Sequence, residues 1–143
     1  MRILLVSDSP WTTSGYGVQV KQLCRIWRDL GHEVAVLCSY GLQGSVLTWE
    51  GITCYPGGLL PFGQDQVLPV ARSFGADIVI TLKDVWVYLD WLNGHQGWGD
   101  GIRWVPLIPV DHTPAPPQVV QAARYAWQPV AYARYGKQAL RDA

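Results

Sequence analysis

The sequence predicts an α/β domain, a mostly parallel sheet with helices on both faces, and three observations carry that prediction. Arg2-Ile3-Leu4-Leu5-Val6 opens the chain as an apolar run of strand length, the pattern of a strand covered on both faces. From Val20 the apolar positions fall at Leu23, Cys24, Trp27 and Leu30, the spacing of one helix face, with Lys21, Gln22, Arg25, Arg28 and Asp29 on the other. Glu33-Val34-Ala35-Val36-Leu37-Cys38 then returns as a second apolar strand, and Gly31 stands where a left-handed helix cap belongs. The three pieces make a βαβ unit, and strands continue to alternate with helices to the end of the chain without a repeat or low-complexity linker. At 143 residues, a single domain with one real core is expected over 1–143.

The remaining elements follow in order. Ser45 to Tyr55 reads as two short strands around Glu50-Gly51, a hairpin or tight bend closed by Pro56-Gly57-Gly58. Asp65 can cap a helix carrying Val67, Leu68, Ala71 and Phe74, with Gly75 as its stop and Pro69 implying a later start or a kink. Asp77 to Leu82 is a buried strand, and Asp84 can cap a helix with Val85, Tyr88, Leu89 and Leu92 on one side. Glycines 94, 97, 99 and 101, interleaved with His95, Trp98 and Asp100, make a loop that is either a lid or a long connection. Ile102 to Val110 is a strand made irregular by Pro106 and Pro109. Asp111-His112-Thr113-Pro114 leads into a helix with Val120, Ala123, Ala126 and Trp127, then a strand near Pro129 to Ala133 and a last helix from about Gly136. The whole is a three-layer, Rossmann-like arrangement.

In such sheets ligands sit beyond the carboxyl ends of the strands, where strand order reverses. The first strand borders that point, so the turn Ser7 to Gly17 is the best candidate site. Unpaired backbone N–H groups and the positive end of the helix dipole meet there, and Gly15 and Gly17 let an anion approach the backbone. The dinucleotide fingerprint is not met, because Val20 stands where its third glycine belongs and Ser39-Tyr40 where its carboxylate belongs. A nucleotide-triphosphate loop fails too, since Gly136-Lys137 is followed by Gln138 and lacks the upstream glycine.

Three segments, in order, resemble the N-terminal half of GT-B fold glycosyltransferases of the retaining GT4 family. The first runs from Arg2 to Val6, through Thr13-Ser14-Gly15-Tyr16-Gly17-Val18-Gln19-Val20-Lys21-Gln22-Leu23, to Leu30-Gly31-His32-Glu33-Val34-Ala35-Val36. The second is Val105-Pro106-Leu107-Ile108-Pro109-Val110-Asp111-His112. The third, Pro129-Val130-Ala131-Tyr132-Ala133-Arg134-Tyr135-Gly136, has Ala133 where the family usually places a serine. The resemblance implies an acceptor-side domain, the N-terminal half of a GT-B architecture, whose donor-binding C-terminal domain would be another chain or a longer one. It implies that Ser14, Gly15, Tyr16 and Gly17 face the diphosphate of a nucleotide-sugar. It also implies that Asp111 or His112 contacts the transferred sugar, with no metal or other cofactor required. Trp11 could line an acceptor pocket or simply pack. Asp111 and His112 could equally cap the turn before the proline-rich helix start. His32 reads as a helix-end cation and His95 as a solvated loop residue. A non-catalytic binding module that kept the fold is the alternative, since the acids are dispersed and offer no hydrolase-like pair.

Bulk properties bound the partners. Eleven basic and eleven acidic residues give zero formal charge, so nothing favours nucleic acid or an anionic membrane surface. Hydrophobic content of 49% argues against disorder, and no apolar run has the length of a membrane span. No signal peptide precedes the first strand, which predicts a cytoplasmic chain. Cys24, Cys38 and Cys54 are odd in number and sit in apolar surroundings, as reduced, buried thiols would. Eight tryptophans and an uncovered cleft would favour a symmetric homodimer. Finally, if the sheet is parallel, Gly15 and Asp111 must emerge on one edge with the Asp77–Leu82 strand between them, roughly 10 to 15 Å apart.

Overall fold

The computed structural model describes residues 1–99 and 101–143. Seven strands form one sheet in the order β3-β4-β2-β1-β5-β6-β7. In chain order these are β1 (Arg2–Asp8), β2 (Glu33–Tyr40), β3 (Leu47–Trp49), β4 (Ile52–Pro56), β5 (Ile78–Leu82), β6 (Trp104–Ile108) and β7 (Val130–Ala131). The helices are α1 (Gly15–Asp29), α2 (Gln64–Phe74), α3 (Leu89–His95), α4 (Pro117–Ala123) and α5 (Arg134–Arg141), with a 3-10 turn over Val85–Tyr88. Every pairing is parallel except β3 with β4. That exception is the expected hairpin. Glu50 (φ 48°) and Gly51 (φ 79°) both take left-handed backbone, the geometry that matches strand twist in a tight hairpin.

The reversal of strand order falls between β1 and β5. From β1 the chain moves outward to β2 and β4, then crosses back through α2 to β5 on the other side of β1, and onward to β6 and β7. Right-handed crossovers that run in opposite directions put their helices on opposite faces. Hence α1 alone covers the face formed by Ile3, Leu5, Val34, Val36, Ile80, Leu82 and Val105. The other face, with Leu4, Val6, Ala35, Leu37, Val79 and Trp104, is covered by α2, α3 and α4, and Leu140 of α5 packs at its rim. The step from β2 to β4 would have set a second helix beside α1. It is made by the β3–β4 hairpin instead.

Several boundaries differ from the sequence reading. Helix α1 begins at Gly15 rather than near Val20, so the glycines belong to its first turn. Asp65 lies inside α2, whose cap is Gly63, and its carboxylate instead accepts N–H bonds from Leu59 and Leu60 at 2.9 and 3.2 Å. Pro69 stands within α2, where it forfeits one helix hydrogen bond without ending the helix. Gly94 is in α3, so the glycine-rich connection is shorter than the sequence suggests, and Asp100 lies outside the described residues. Pro106 is accommodated inside β6, opposite Thr81. Helix α4 ends at Ala123, because the Trp127 amide turns away to donate to the Trp104 carbonyl at 2.9 Å. Helix α5 starts at Arg134. Gly136 lets its first turn lie close to the sheet end, where a Cβ would come within 3.1 Å of the Val110 Cβ.

Candidate functional site at the carboxyl edge

All six parallel strands deliver their carboxyl ends to one edge, and β5 lies between β1 and β6 as expected. The loops carrying Gly15 and Asp111 therefore share that edge, though they are built very differently.

The loop after β1 is held by a chain of polar contacts. Ser14 is the N-cap of α1, with extended backbone (φ −65°, ψ 157°), and its Oγ accepts the Gly17 N–H at 3.0 Å. The same hydroxyl donates to Asp8 Oδ2 at 2.5 Å. Asp8 Oδ1 in turn pairs with the Lys83 ammonium. Asp8 stands two residues beyond Val6 and Lys83 two beyond Thr81, and Val6 and Thr81 are register partners, so parallel pairing of β1 with β5 sets the two charges side by side. Both are mostly buried, at 5% and 13% side-chain exposure. Beyond Asp8, the Lys83 ammonium lies 5.1 Å from the centre of the Tyr16 ring. Tyr16 itself is pushed up to about 12, first by burial and then by the nearby Asp84 and Asp8 carboxylates. Tyr132 is pushed up to about 12 by burial and by Tyr16 and Asp84. Tyr88, wholly buried, has a hydroxyl with no partner, close enough to Tyr16 and Asp8 that their charges raise it further beyond what burial does.

The two glycines of the loop differ in role. A Cβ on Gly17 would lie 2.0 Å from Thr12 Oγ1 and 2.6 Å from the Thr12 carbonyl oxygen, so Gly17 is required by the loop's own packing. A Cβ on Gly15 would meet nothing within 4 Å. Gly15 is therefore the position open to a ligand. Beside it, Trp11, Thr12, Thr13, Ser14, Tyr40 and Gly41 line a shallow depression of about 480 Å³. Trp11 donates its indole N–H to the Gly41 carbonyl at 2.9 Å, which fixes its ring across the ends of β1 and β2 with about a third of its surface exposed. Its ring therefore forms a wall of the depression.

The loop after β6 is loose by comparison. His112 Nδ1 lies 2.8 Å from Asp111 Oδ1, and the two side chains are 61% and 92% exposed. The hydrogen bond to His112 holds the Asp111 carboxyl below its ordinary range. The nearest tie to the fold is one residue on, where Thr113 Oγ1 donates to Tyr135 Oη at 2.8 Å.

Ser14, Gly15, Tyr16 and Gly17 are thus gathered at one helix start with Trp11 beside them, while Asp111 and His112 stand apart in solvent two strands away. Asp8, Lys83 and Asp84 were missed from the sequence. A usable signal existed: Asp8 is the first charged residue after the buried apolar run of β1 and Lys83 the first after that of β5, the two strands that flank the reversal of order. Comparison with known proteins found no matching family model, no matching curated protein and no matching solved structure. Among the described residues, no helix is long and apolar enough to cross a membrane.

Proposed function

We propose that this domain is the acceptor-side half of a retaining, GT4-like glycosyltransferase, acting on a nucleotide-sugar when a donor-binding half closes over its carboxyl edge. The observation that supports it best is where the exposed large apolar side chains lie. Among them Trp11, Tyr40, Leu59, Trp86 and Tyr132 each end or follow a different parallel strand, so every carboxyl-end loop but the Asp111–His112 loop presents one, while others such as Leu30, Val46 and Trp127 lie elsewhere. Apolar side chains clustered on one edge mark a surface that another body covers. The Ser14-capped start of α1 and the Asp111–His112 loop border that same edge, which suits a diphosphate at the first and a sugar towards the second.

In this reading the chain's own residues bind and orient. Ser14 and the free N–H groups at the start of α1 face the diphosphate, Trp11 lines the acceptor side, and Asp111 or His112 meets the transferred sugar. Closure by the second half excludes water and fixes both substrates, which one open wall cannot do. The isolated chain is therefore expected to bind UDP- and GDP-sugars no tighter than about millimolar and to turn over none. Calorimetry against a panel of such donors tests this, and micromolar binding to the isolated chain would contradict the division of labour. In a chain completed by a donor-binding half, Gly15→Val and His112→Ala should each lower transfer while the protein stays folded. Unchanged transfer in both would refute the site.

A further inference from the structure

We propose that Lys83 is the cation that receives the anionic ligand at the start of α1, and that Asp8 is its resident counter-ion, which the ligand displaces. This rests on reading the Ser14–Gly17 loop as a diphosphate site, and it adds to that reading the residue that supplies the positive charge and the one that withholds it.

Four observations carry the inference. The pair is mostly buried at the point where strand order reverses, between the loop after β1 and the loop after β5. A buried ion pair is seldom retained for stability, because the cost of desolvating two charges largely cancels their attraction. Secondly, of the three N–H donors of the ammonium only one has an acceptor among the described residues, Asp8 Oδ1; on another side lies the face of the Tyr16 ring. A donor is left over. Thirdly, Asp8 does not depend on Lys83 alone. Its other oxygen accepts from Ser14, the residue that caps α1, so the carboxylate stays anchored if the ammonium swings towards a ligand. Fourthly, the Tyr88 hydroxyl, on the 3-10 turn that follows Lys83, is wholly buried and has no partner among the described residues. A buried donor without an acceptor is costly unless something completes it. Together with the unpaired N–H groups at the start of a 15-residue helix, these make a set of donors whose cation, Lys83, is already neutralised.

The consequence has an unusual sign. Removing a charge from the site should strengthen anion binding, provided the charge removed is Asp8. Inorganic pyrophosphate is the probe, read by the amide shifts of Gly15 and Tyr16 in ¹⁵N–¹H spectra of the isolated chain, with UDP as a second arm to separate the diphosphate from its nucleoside. The wild-type chain should respond only at millimolar pyrophosphate. Asp8→Asn keeps an acceptor for Ser14 and frees Lys83, and should bind at least about tenfold tighter, the effect of one unscreened charge contact. Lys83→Met should lose the response, and so should the double variant. If Asp8→Asn does not fold, the comparison of wild type with Lys83→Met still decides, since loss of the response in the latter supports the role of Lys83 and an equal response overturns it. A response at Gly15 and Tyr16 that is identical in all variants overturns the Asp8–Lys83 exchange but leaves the anion loop standing. No response in any variant overturns both.

Discussion

The loops after β1 and β6 leave the same edge of the same sheet, yet one is fastened and the other is free. In the first, Ser14, Asp8 and Lys83 form a continuous polar chain from the helix cap to the neighbouring strand, almost all of it out of solvent. In the second, Asp111 and His112 bind each other and otherwise face water. The difference teaches where order is needed before a partner arrives. Under the proposed function, a diphosphate recognised by several converging donors calls for a receptor built in advance, whereas a residue that meets one sugar can be positioned by the closing of a second body.

That contrast is broken most readily at Asp8. Asp8→Ala strands a mostly buried ammonium and removes the acceptor of Ser14, so about 3–5 kcal/mol of unfolding free energy should be lost in urea titration. Asp111→Ala and His112→Ala, by contrast, should each change stability by no more than about 0.5 kcal/mol. Comparable losses at both loops would erase the distinction. The next largest effect belongs to Gly17, where an added Cβ collides with Thr12 backbone and side chain; Gly17→Ala should cost about 1–3 kcal/mol. Gly15→Ala meets open space and should be neutral or stabilising by up to about 1 kcal/mol, while weakening any anion response. Thermal unfolding of the two variants side by side sharpens the separation of structural from ligand-facing glycine. Ser14→Ala, which removes a helix cap, should cost about 1 kcal/mol.

A smaller effect is expected from pH. Tyr16 is raised to about 12 by burial and the neighbouring carboxylates, so its neutral form is favoured in the folded state. The stability this contributes is fully present below the ordinary tyrosine value near pH 10 and is lost as pH rises towards 12. Melting curves between those values should fall less steeply in Tyr16→Phe than in the parent chain, and equal slopes would mean that the phenol is not held in the cluster. Weakest of all is self-association. Because only α1 covers its face of the sheet, Leu23, Ile26, Leu107, Val130 and Tyr132 line an open groove, and a weak dimer should be visible by sedimentation. A monomer at high concentration would remove that expectation and leave the rest intact.

The fold was legible because buried parallel strands are written as unbroken apolar runs, as at Leu4–Val6 and Ile78–Leu82, and because Gly31 and Gly75 punctuate the helices with left-handed backbone at φ 83° and 71°. Helix starts were harder. Gly15, Tyr16 and Gly17 lack helical propensity, and only the Ser14 cap and the packing of Gly17 on Thr12 draw them into α1. Likewise the sequence shows that helices alternate with strands but not which face each takes. That is decided by the direction of each crossover, and so by strand order. The Asp8–Lys83 pair was hidden for the same reason: 75 residues separate its members, and only the β1–β5 register joins them. Asp111 and His112 were visible as a motif, whereas their exposure depends on a loop that the motif does not describe.

The two loops can be compared in a single titration. With UDP added to the ¹⁵N-labelled chain, the amides of Gly15 and Tyr16 should shift together at millimolar ligand while the His112 ring resonances stay where they are. With a UDP-sugar, His112 should move only once a donor-binding half is present. Shifts at His112 with UDP alone, or none at Gly15 and Tyr16 at any concentration, would contradict the assignment of the diphosphate to the fastened loop.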